Sequence, residues 1–206
     1  KEFGLRPLVV HFDNGWNSEV SVRNIERTVK QLEFDLETYV MDWEEFKSIQ
    51  RSFFKASVLD IELITDNAFV AALYEIARKR GIKTILNGFN YATESILPRA
   101  WYHFKMDAKN IRAIHSKHGN TKISKLPMFS VVDYAMNRLF YKIQSVYPLN
   151  YIDYRRDEAM ELLQRELHWE YYGGKHCESV FTYFYQAYIL PLKFGIDKRR
   201  AHLSSL

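Results

Sequence analysis

Cysteine is nearly absent from this 206-residue chain, with Cys177 the only one. A single thiol excludes a disulfide scaffold, a Cys-rich zinc site and an iron–sulfur cluster, and it fits a reducing, cytoplasmic setting. Glycine (eight) and proline (five) are sparse, and no low-complexity linker or internal repeat interrupts the sequence. No run of about 18 apolar residues occurs, which excludes a transmembrane helix. What remains is 47% hydrophobic and 26% charged, a balance that fits one folded domain with a small appendage and not a disordered chain. Aromatic rings are plentiful: 14 Tyr, 14 Phe and 4 Trp.

The opening Lys1-Glu2-Phe3-Gly4 reads as the last turn of a helix capped by Gly4, with no signal peptide. It leads to the expectation of a fragment whose first strand and helix are missing. Charge is unevenly spread. Residues 1–98 hold 12 Lys+Arg against 15 Asp+Glu, and residues 99–206 hold 17 against 10. Between Arg99 and Lys125 there are seven basic residues and one acid, with His103, His115 and His118 among them. Such a stretch suits nucleic acid, a phosphorylated small molecule or an acidic partner, and equally a solvated helix face.

Along the first ninety residues two periodicities alternate. Leu8-Val9-Val10-His11-Phe12 predicts a buried strand, and Ser18 is placed to cap a helix with Val22, Ile25, Val29 and Leu32 on one face. A second strand is expected over 36–41 and a mixed helix over 43–55. Thr65 or Asp66 then caps a helix carrying Phe69, Ala72, Leu73 and Ile76, which stops at Gly81 before a third strand at 83–86. Strand–helix–strand–helix–strand predicts one parallel sheet covered on both faces. Further helices are expected near 107–118, 131–147 and 157–167. The expected division is an α/β nucleotide-binding domain over 1–104 and a helical, basic, substrate-binding extension over 105–206.

In parallel sheets the working residues follow the carboxyl ends of the strands. Here Phe12-Asp13-Asn14-Gly15-Trp16 and Leu86-Asn87-Gly88-Phe89-Asn90 occupy those places. Each is also ordinary turn chemistry, but two on one sheet edge point to a ligand.

These turns are similar to those of the N-type ATP pyrophosphatases: Val9 to Gly15 resembles their second-strand segment. Ile85-Leu86-Asn87-Gly88 followed by Thr93-Glu94-Ser95 resembles the later strand bordering their ATP site. The C-terminal part is more specific. Trp169-Glu170-Tyr171-Tyr172-Gly173-Gly174-Lys175-His176-Cys177-Glu178-Ser179, Phe181-Thr182 and Ile189 through Ser204 resemble the N-acetyl sugar amidotransferases of lipopolysaccharide O-antigen and flagellar sugar biosynthesis, the WbpG-like family. Asp66, Glu94, Pro98 and Trp101 share the resemblance. It implies a three-layer parallel sheet of the HUP kind, truncated at its start. The family's Cys-rich segment, where Zn²⁺ is expected, and its Ser-Gly-Gly-x-Asp-Ser phosphate loop have no counterpart in these residues.

The activity implied is conversion of an acetamido group on a UDP-linked N-acetylated sugar, expected to be a uronic acid, to an acetamidino group. ATP is the implied co-substrate and Mg²⁺ the metal. The resemblance places Asp13, Gly15, Gly88, Asn90 and Thr93 at the nucleotide, and makes Glu94 a catalytic residue and metal ligand. Glu94 also reads as a carboxylate at a helix start. Asp66 reads as a cap before it reads as a catalyst. Lys175 and His176, on a Gly-Gly turn, are expected to act in catalysis and, with Glu178, Lys198, Arg199, Arg200 and His202, to hold the sugar nucleotide. The nine rings between Trp169 and Phe194 read mostly as core, with Tyr171 or Tyr172 available to stack on uracil or sugar. Cys177 is not needed as a nucleophile. The implied partners are a glutaminase and a barrel subunit resembling the halves of imidazole glycerol phosphate synthase, which supply ammonia; neither a membrane nor nucleic acid is expected. Two alternatives stay open: an N-type pyrophosphatase that modifies tRNA, and a non-catalytic interaction module.

Overall fold

Leu8–Asp13 is extended because branched and aromatic side chains crowd a short run, and its neighbour in space comes from the next extended segment of the chain. A computed structural model describes residues 4–95, 97–174, 176–198 and 200. In chain order the elements are β1 (Leu8–Asp13), α1 (Glu19–Leu32), β2 (Asp35–Val40), α2 (Trp43–Ala56), α3 (Leu63–Lys79), β3 (Thr84–Leu86) and α4 (Tyr91–Glu94). They continue with α5 (Ala108–His118), α6 (Val131–Leu139), β4 (Gln144–Val146), α7 (Arg156–Leu167), α8 (Val180–Phe184) and α9 (Leu190–Phe194). A π-helical turn, Tyr185–Ile189, joins α8 to α9. The described residues fall into two compact units, one from residues 4–40 with 152–200 and the other from residues 41–151. Residue 105, where a boundary was expected, lies inside the second.

In the first unit β1 and β2 run parallel, with Leu8 opposite Asp35 and Asp13 opposite Val40. Phe12 and Tyr39 face each other across the pair and stack at 5.8 Å. Ser18 caps α1 as expected, its Oγ accepting the Ser21 N–H at 3.2 Å. The buried face of α1 is not the apolar stripe that the periodicity predicts. Val22 is exposed, while Ser21 and Asn24 are buried. The reason is a polar neighbour. The Asn24 carboxamide donates to the Glu170 carbonyl and accepts the Glu170 N–H, both at 2.8 Å. Arg23 and Arg27 meet the Glu170 carboxylate at 3.1 and 2.6 Å. Those two guanidinium groups hold the Glu170 carboxyl below its ordinary range. Farther on, Phe181, Tyr185 and Leu190 turn inward from the α8–α9 helix.

The second unit has the larger apolar core. Phe46, Ile49 and Phe53 of α2, Ile64 and Ala68 of α3 and Ile111 of α5 are sealed from solvent, each large side chain contributing about 1.5–3 kcal/mol of burial. A further cluster joins Ala71, Tyr74 and Ala77 of α3 to Ile85, Phe129 and Ile143. Buried Asn67 ties the connecting chain to α3: its Nδ2 donates to the Lys105 and Phe129 carbonyls at 2.7 Å, and its Oδ1 accepts the Phe129 N–H at 2.9 Å.

Three expectations are corrected here. The third strand does not join the first two: β3 pairs in parallel with β4, giving two separate two-stranded sheets among the described residues. The fold is mixed α/β. The helix expected over 131–147 stops at Leu139, because Lys142 takes a left-handed backbone (φ 54°) and the chain then extends as β4. Neither Thr65 nor Asp66 caps α3. The helix begins earlier, at Leu63, and Asp66 instead pairs with Lys105 Nζ at 2.8 Å.

Candidate functional site

Each unit carries part of the expected site. Asp13, Gly15, His176, Glu178, Lys198 and Arg200 belong to the first, and Gly88, Asn90, Thr93 and Glu94 to the second. Lys175, Arg199 and His202 lie outside the described residues.

At the carboxyl end of β1 the chain reverses through Asp13–Trp16. Asp13 Oδ1 accepts the Gly15 N–H at 2.9 Å and Asn14 Oδ1 accepts the Trp16 N–H at 3.1 Å, while Gly15 sits at φ 78°, where a side chain is strained. The Asp13 carboxylate therefore shapes its own turn. Beyond it the backbone meets the tail of the chain. The Ser18 N–H donates to the Glu178 carbonyl and the Val180 N–H to the Trp16 carbonyl, both at 2.8 Å, around an antiparallel bridge between Asn17 and Ser179. Trp16 rests against Phe181, with ring centroids 5.4 Å apart. The turn after β1 and the His176–Glu178 segment are thus stitched together within one unit, although some 160 residues separate them in sequence.

His176 has a left-handed backbone (φ 68°), and its Nδ1 lies 3.6 Å from Glu178 Oε1, an electrostatic contact longer than a good hydrogen bond. Burial pushes the Glu178 carboxyl up, but the His176 ring and the backbone N–H groups of Glu178 and His176 outweigh it, so the acid ends below its ordinary range. Tyr172 is pushed up to about 12 by burial and by the Glu178 charge. Burial and Glu178 likewise raise the Cys177 thiol, which disfavours a thiolate and agrees with leaving Cys177 out of the chemistry. Lys198 is buried, its Nζ 5.9 Å from the Tyr185 ring centroid. That cation–π contact is a structural use of a residue expected to hold substrate. Arg200 is exposed.

In the second unit a cavity of about 500 Å³ opens after β3 and β4, lined by Asn87, Phe89, Tyr91, Glu94, Tyr147 and Asn150. Glu94 is the residue of the expected site that lines it. Asn90 and Thr93 act as a helix cap instead: Asn90 is buried, and its Oδ1 accepts from the Thr93 N–H and Oγ1 at 2.9 and 3.0 Å. A Cβ at Gly88 would meet nothing within 4 Å, so no protein atom requires a glycine there. The walls were not foreseen. Asn87 and Phe89 belong to the polar turn after β3, but Tyr147 and Asn150 follow β4, a strand within the span whose periodicity predicts a helix. The recoverable signal is that both short strands end in an aromatic and asparagine pair, Asn87/Phe89 and Tyr147/Asn150.

The residues present do not fit a magnesium–triphosphate at Glu94. Among the described residues, those that line the cavity with Glu94 carry rings and amides. Among the described residues no group of three or more His, Cys, Asp or Glu side chains is placed to hold a metal ion. No helix among them is long and apolar enough to cross a membrane.

The architecture is mixed α/β, with polar turns after β1 and β3. Comparison adds a family: residues 178–206 match the C-terminal domain of WbpG-like lipopolysaccharide biosynthesis proteins. The match links this stretch to lipopolysaccharide biosynthesis proteins of the WbpG-like kind. No curated protein and no solved structure matches the chain.

Proposed function

We propose that this chain belongs to an ATP-dependent amidotransferase that converts the acetamido group of a UDP-linked N-acetylated sugar to an acetamidino group, in the assembly of O-antigen or a related surface sugar. The observation that carries the reading is the stitched pair of segments in the first unit. The segment where the family match begins, Glu178–Val180, is hydrogen-bonded to the turn that follows β1. A turn suited to a nucleotide and a tail suited to a sugar nucleotide therefore share one neighbourhood.

An amide carbonyl is a weak electrophile with a poor leaving group. In the proposed chemistry the amide oxygen attacks the α-phosphorus of ATP, the P–O bond to the β-phosphate breaks, and pyrophosphate leaves. Ammonia then adds to the carbon of the adenylylated imidate. The C–O bond breaks to release AMP, and loss of a proton gives the amidine. Amide, ammonia and ATP are consumed; amidine, AMP and pyrophosphate are formed. His176, held beside Glu178, is suited to move the proton released by ammonia. Gly15 and Asp13 line the nucleotide side in this reading, while Lys175, Arg199, Arg200 and His202 meet the sugar diphosphate. Ammonia comes from a partner glutaminase and its barrel subunit, and free ammonium replaces both in the assay.

The test incubates the complete protein carrying this sequence with ATP, ammonium and a set of UDP-linked N-acetylated sugars. The expected result is AMP release matched by replacement of one sugar oxygen by NH in the mass spectrum. Release of ADP, or an unchanged mass for every such sugar, overturns the proposal.

A further inference from the structure

Helix α6 is built inside out. Its buried residue is a polar one: Asn137 Nδ2 donates to the Asp133 carbonyl at 2.7 Å, and Asn137 Oδ1 accepts from Arg78 Nη1 at 3.3 Å. The apolar residues Val132, Met136, Leu139 and Phe140 are instead 68, 44, 69 and 78% exposed. They stand at i, i+4, i+7 and i+8. Phe140 closes the helix with a helical backbone (φ −90°, ψ −50°), so the four share one side of it. A stripe at this spacing ordinarily packs on a core. Here the chain leaves it open, and holds it firmly. The Phe140 and Tyr141 N–H groups both donate to the Met136 carbonyl, at 3.0 and 3.3 Å, and Ile143 just beyond is sealed in the core cluster. Contiguous exposed apolar surface of this kind marks a place of interaction.

Charge decides what covers it. Four cations stand at the end of the stripe. The Arg78 guanidinium lies 5.6 Å from the Tyr141 ring centroid, and Lys83 Nζ donates to the Tyr141 carbonyl at 2.9 Å. Arg138 and Lys142 flank Leu139–Tyr141 in the sequence. All four are exposed, and no carboxylate among the described residues forms an ion pair with any of them. The one acid of α6, Asp133, is taken up by the helix cap, its Oδ2 accepting the Ser130 N–H and hydroxyl at 2.8 and 2.6 Å. A covering surface must therefore offer apolar contact and negative charge together. The surface of an anionic bilayer does so, with acyl chains to receive an apolar helix face and headgroup phosphates to meet the cations beside it. Three of the four stripe residues are aliphatic and give bases no ring to stack on, unlike a nucleic-acid platform.

We propose that the outer side of α6, with the four cations at its end, docks this protein on the surface of an anionic membrane. Leu139 and Phe140 enter the boundary between headgroups and acyl chains, and the lysines and arginines remain among the phosphates. Among the described residues no helix is long and apolar enough to cross a bilayer. That excludes crossing and leaves docking open, because a helix lying at the surface needs only one apolar side. The docking goes beyond the reaction proposed above and does not depend on it.

The test is flotation of the complete protein with vesicles of phosphatidylglycerol and phosphatidylcholine in equal parts, beside vesicles of phosphatidylcholine alone. The expected result is binding to the mixed vesicles that weakens as salt is raised, and far less binding to the neutral ones. Phe140→Asn is expected to weaken binding to the mixed vesicles by about tenfold, and Arg138→Gln by about fivefold. Both side chains are exposed, so unchanged denaturant midpoints are expected and separate loss of docking from loss of fold. No binding to either vesicle, equal binding to both, or full binding by Phe140→Asn and Arg138→Gln overturns the proposal. Self-association that Phe140→Asn abolishes, in a protein that leaves vesicles unbound, also overturns it and assigns the stripe to a second copy of the chain. Amidination of a UDP-sugar by a protein with no affinity for vesicles removes the docking and leaves the function.

Discussion

Phe46, Ile49, Phe53 and Ile64 of the second unit are fully shut away from solvent, whereas in the first unit Leu167, Phe181, Tyr185 and Leu190 are the buried apolar residues among those described, and none of them is in β1, β2 or α1. Every residue of β1 is half-buried, and β2 alternates between exposed and half-buried positions. What secures the first unit is directional: an asparagine gripping a peptide group, two arginines on one carboxylate, and backbone bonds between the turn after β1 and the tail. Apolar packing resists loss of one contact by spreading its energy over many weak ones. Directional ties concentrate energy in few groups and fix geometry, which suits segments that must present side chains to a ligand. The second unit combines both, with a packed core and, around the cavity, loops pinned by Asn87 and Asn150.

The comparison is easiest to break at its strongest point. Phe53→Ala removes a fully buried ring from the second unit and is expected to cost about 3–5 kcal/mol, read as a lowered denaturant midpoint. A loss under about 1 kcal/mol would mean that this core is not what holds the unit. Asn24→Ala tests the opposite style of construction. It strands the N–H and carbonyl of Glu170, and about 1–3 kcal/mol is expected, with faster hydrogen exchange at the Glu170 amide as the local readout. Unchanged exchange there would show that the tail is held by something other than α1.

The smallest effect expected is in acid. In the first unit Glu170 is lowered by Arg23 and Arg27. In the second, burial pushes Glu45 up, but the N–H groups of Ser124, Leu126 and Lys125 and the Ser124 hydroxyl outweigh it, so Glu45 is also lowered. A depressed folded-state value means that each carboxylate adds stability above its ordinary value of 4.5 and loses it as the pH falls through the folded value. Denaturant midpoints are therefore expected to hold steady from neutrality to about that pH and to drop below it. Glu45→Gln and Glu170→Gln should each flatten that drop. A drop already under way between pH 7 and 6 would point to a histidine instead.

Much of the first unit was legible in the sequence. Ser18 is a good N-cap and acts as one, and the apolar run from Leu8 is a strand. The apolar spacing of α1 was legible too, yet it misled, because what covers that helix is Glu170, a residue 146 positions from Asn24 whose pull is polar. Local pattern cannot register so distant a partner. In the second unit β4 was hidden for another reason: three residues are too few to interrupt a helical periodicity, and the left-handed Lys142 carries no glycine to announce it. With β4 went Tyr147 and Asn150, two of the six residues lining the cavity. Of the turn residues, Asp13 and Asn90 are expected at the nucleotide, and the structure gives both a local hydrogen-bonding use.

The π-helical turn between α8 and α9 bears on how this tail can vary among homologues. Inward-facing residues there fall at Phe181, Tyr185 and Leu190, a step of four and then of five, so the wide turn absorbs one more residue than an α-helix would. Removing a single position between 186 and 189 would let the helix wind regularly and still deliver the leucine to the interior. Homologues shorter by one residue here are therefore expected to keep the same packing, whereas an added residue would rotate everything beyond it, including the buried lysine at 198, away from its place.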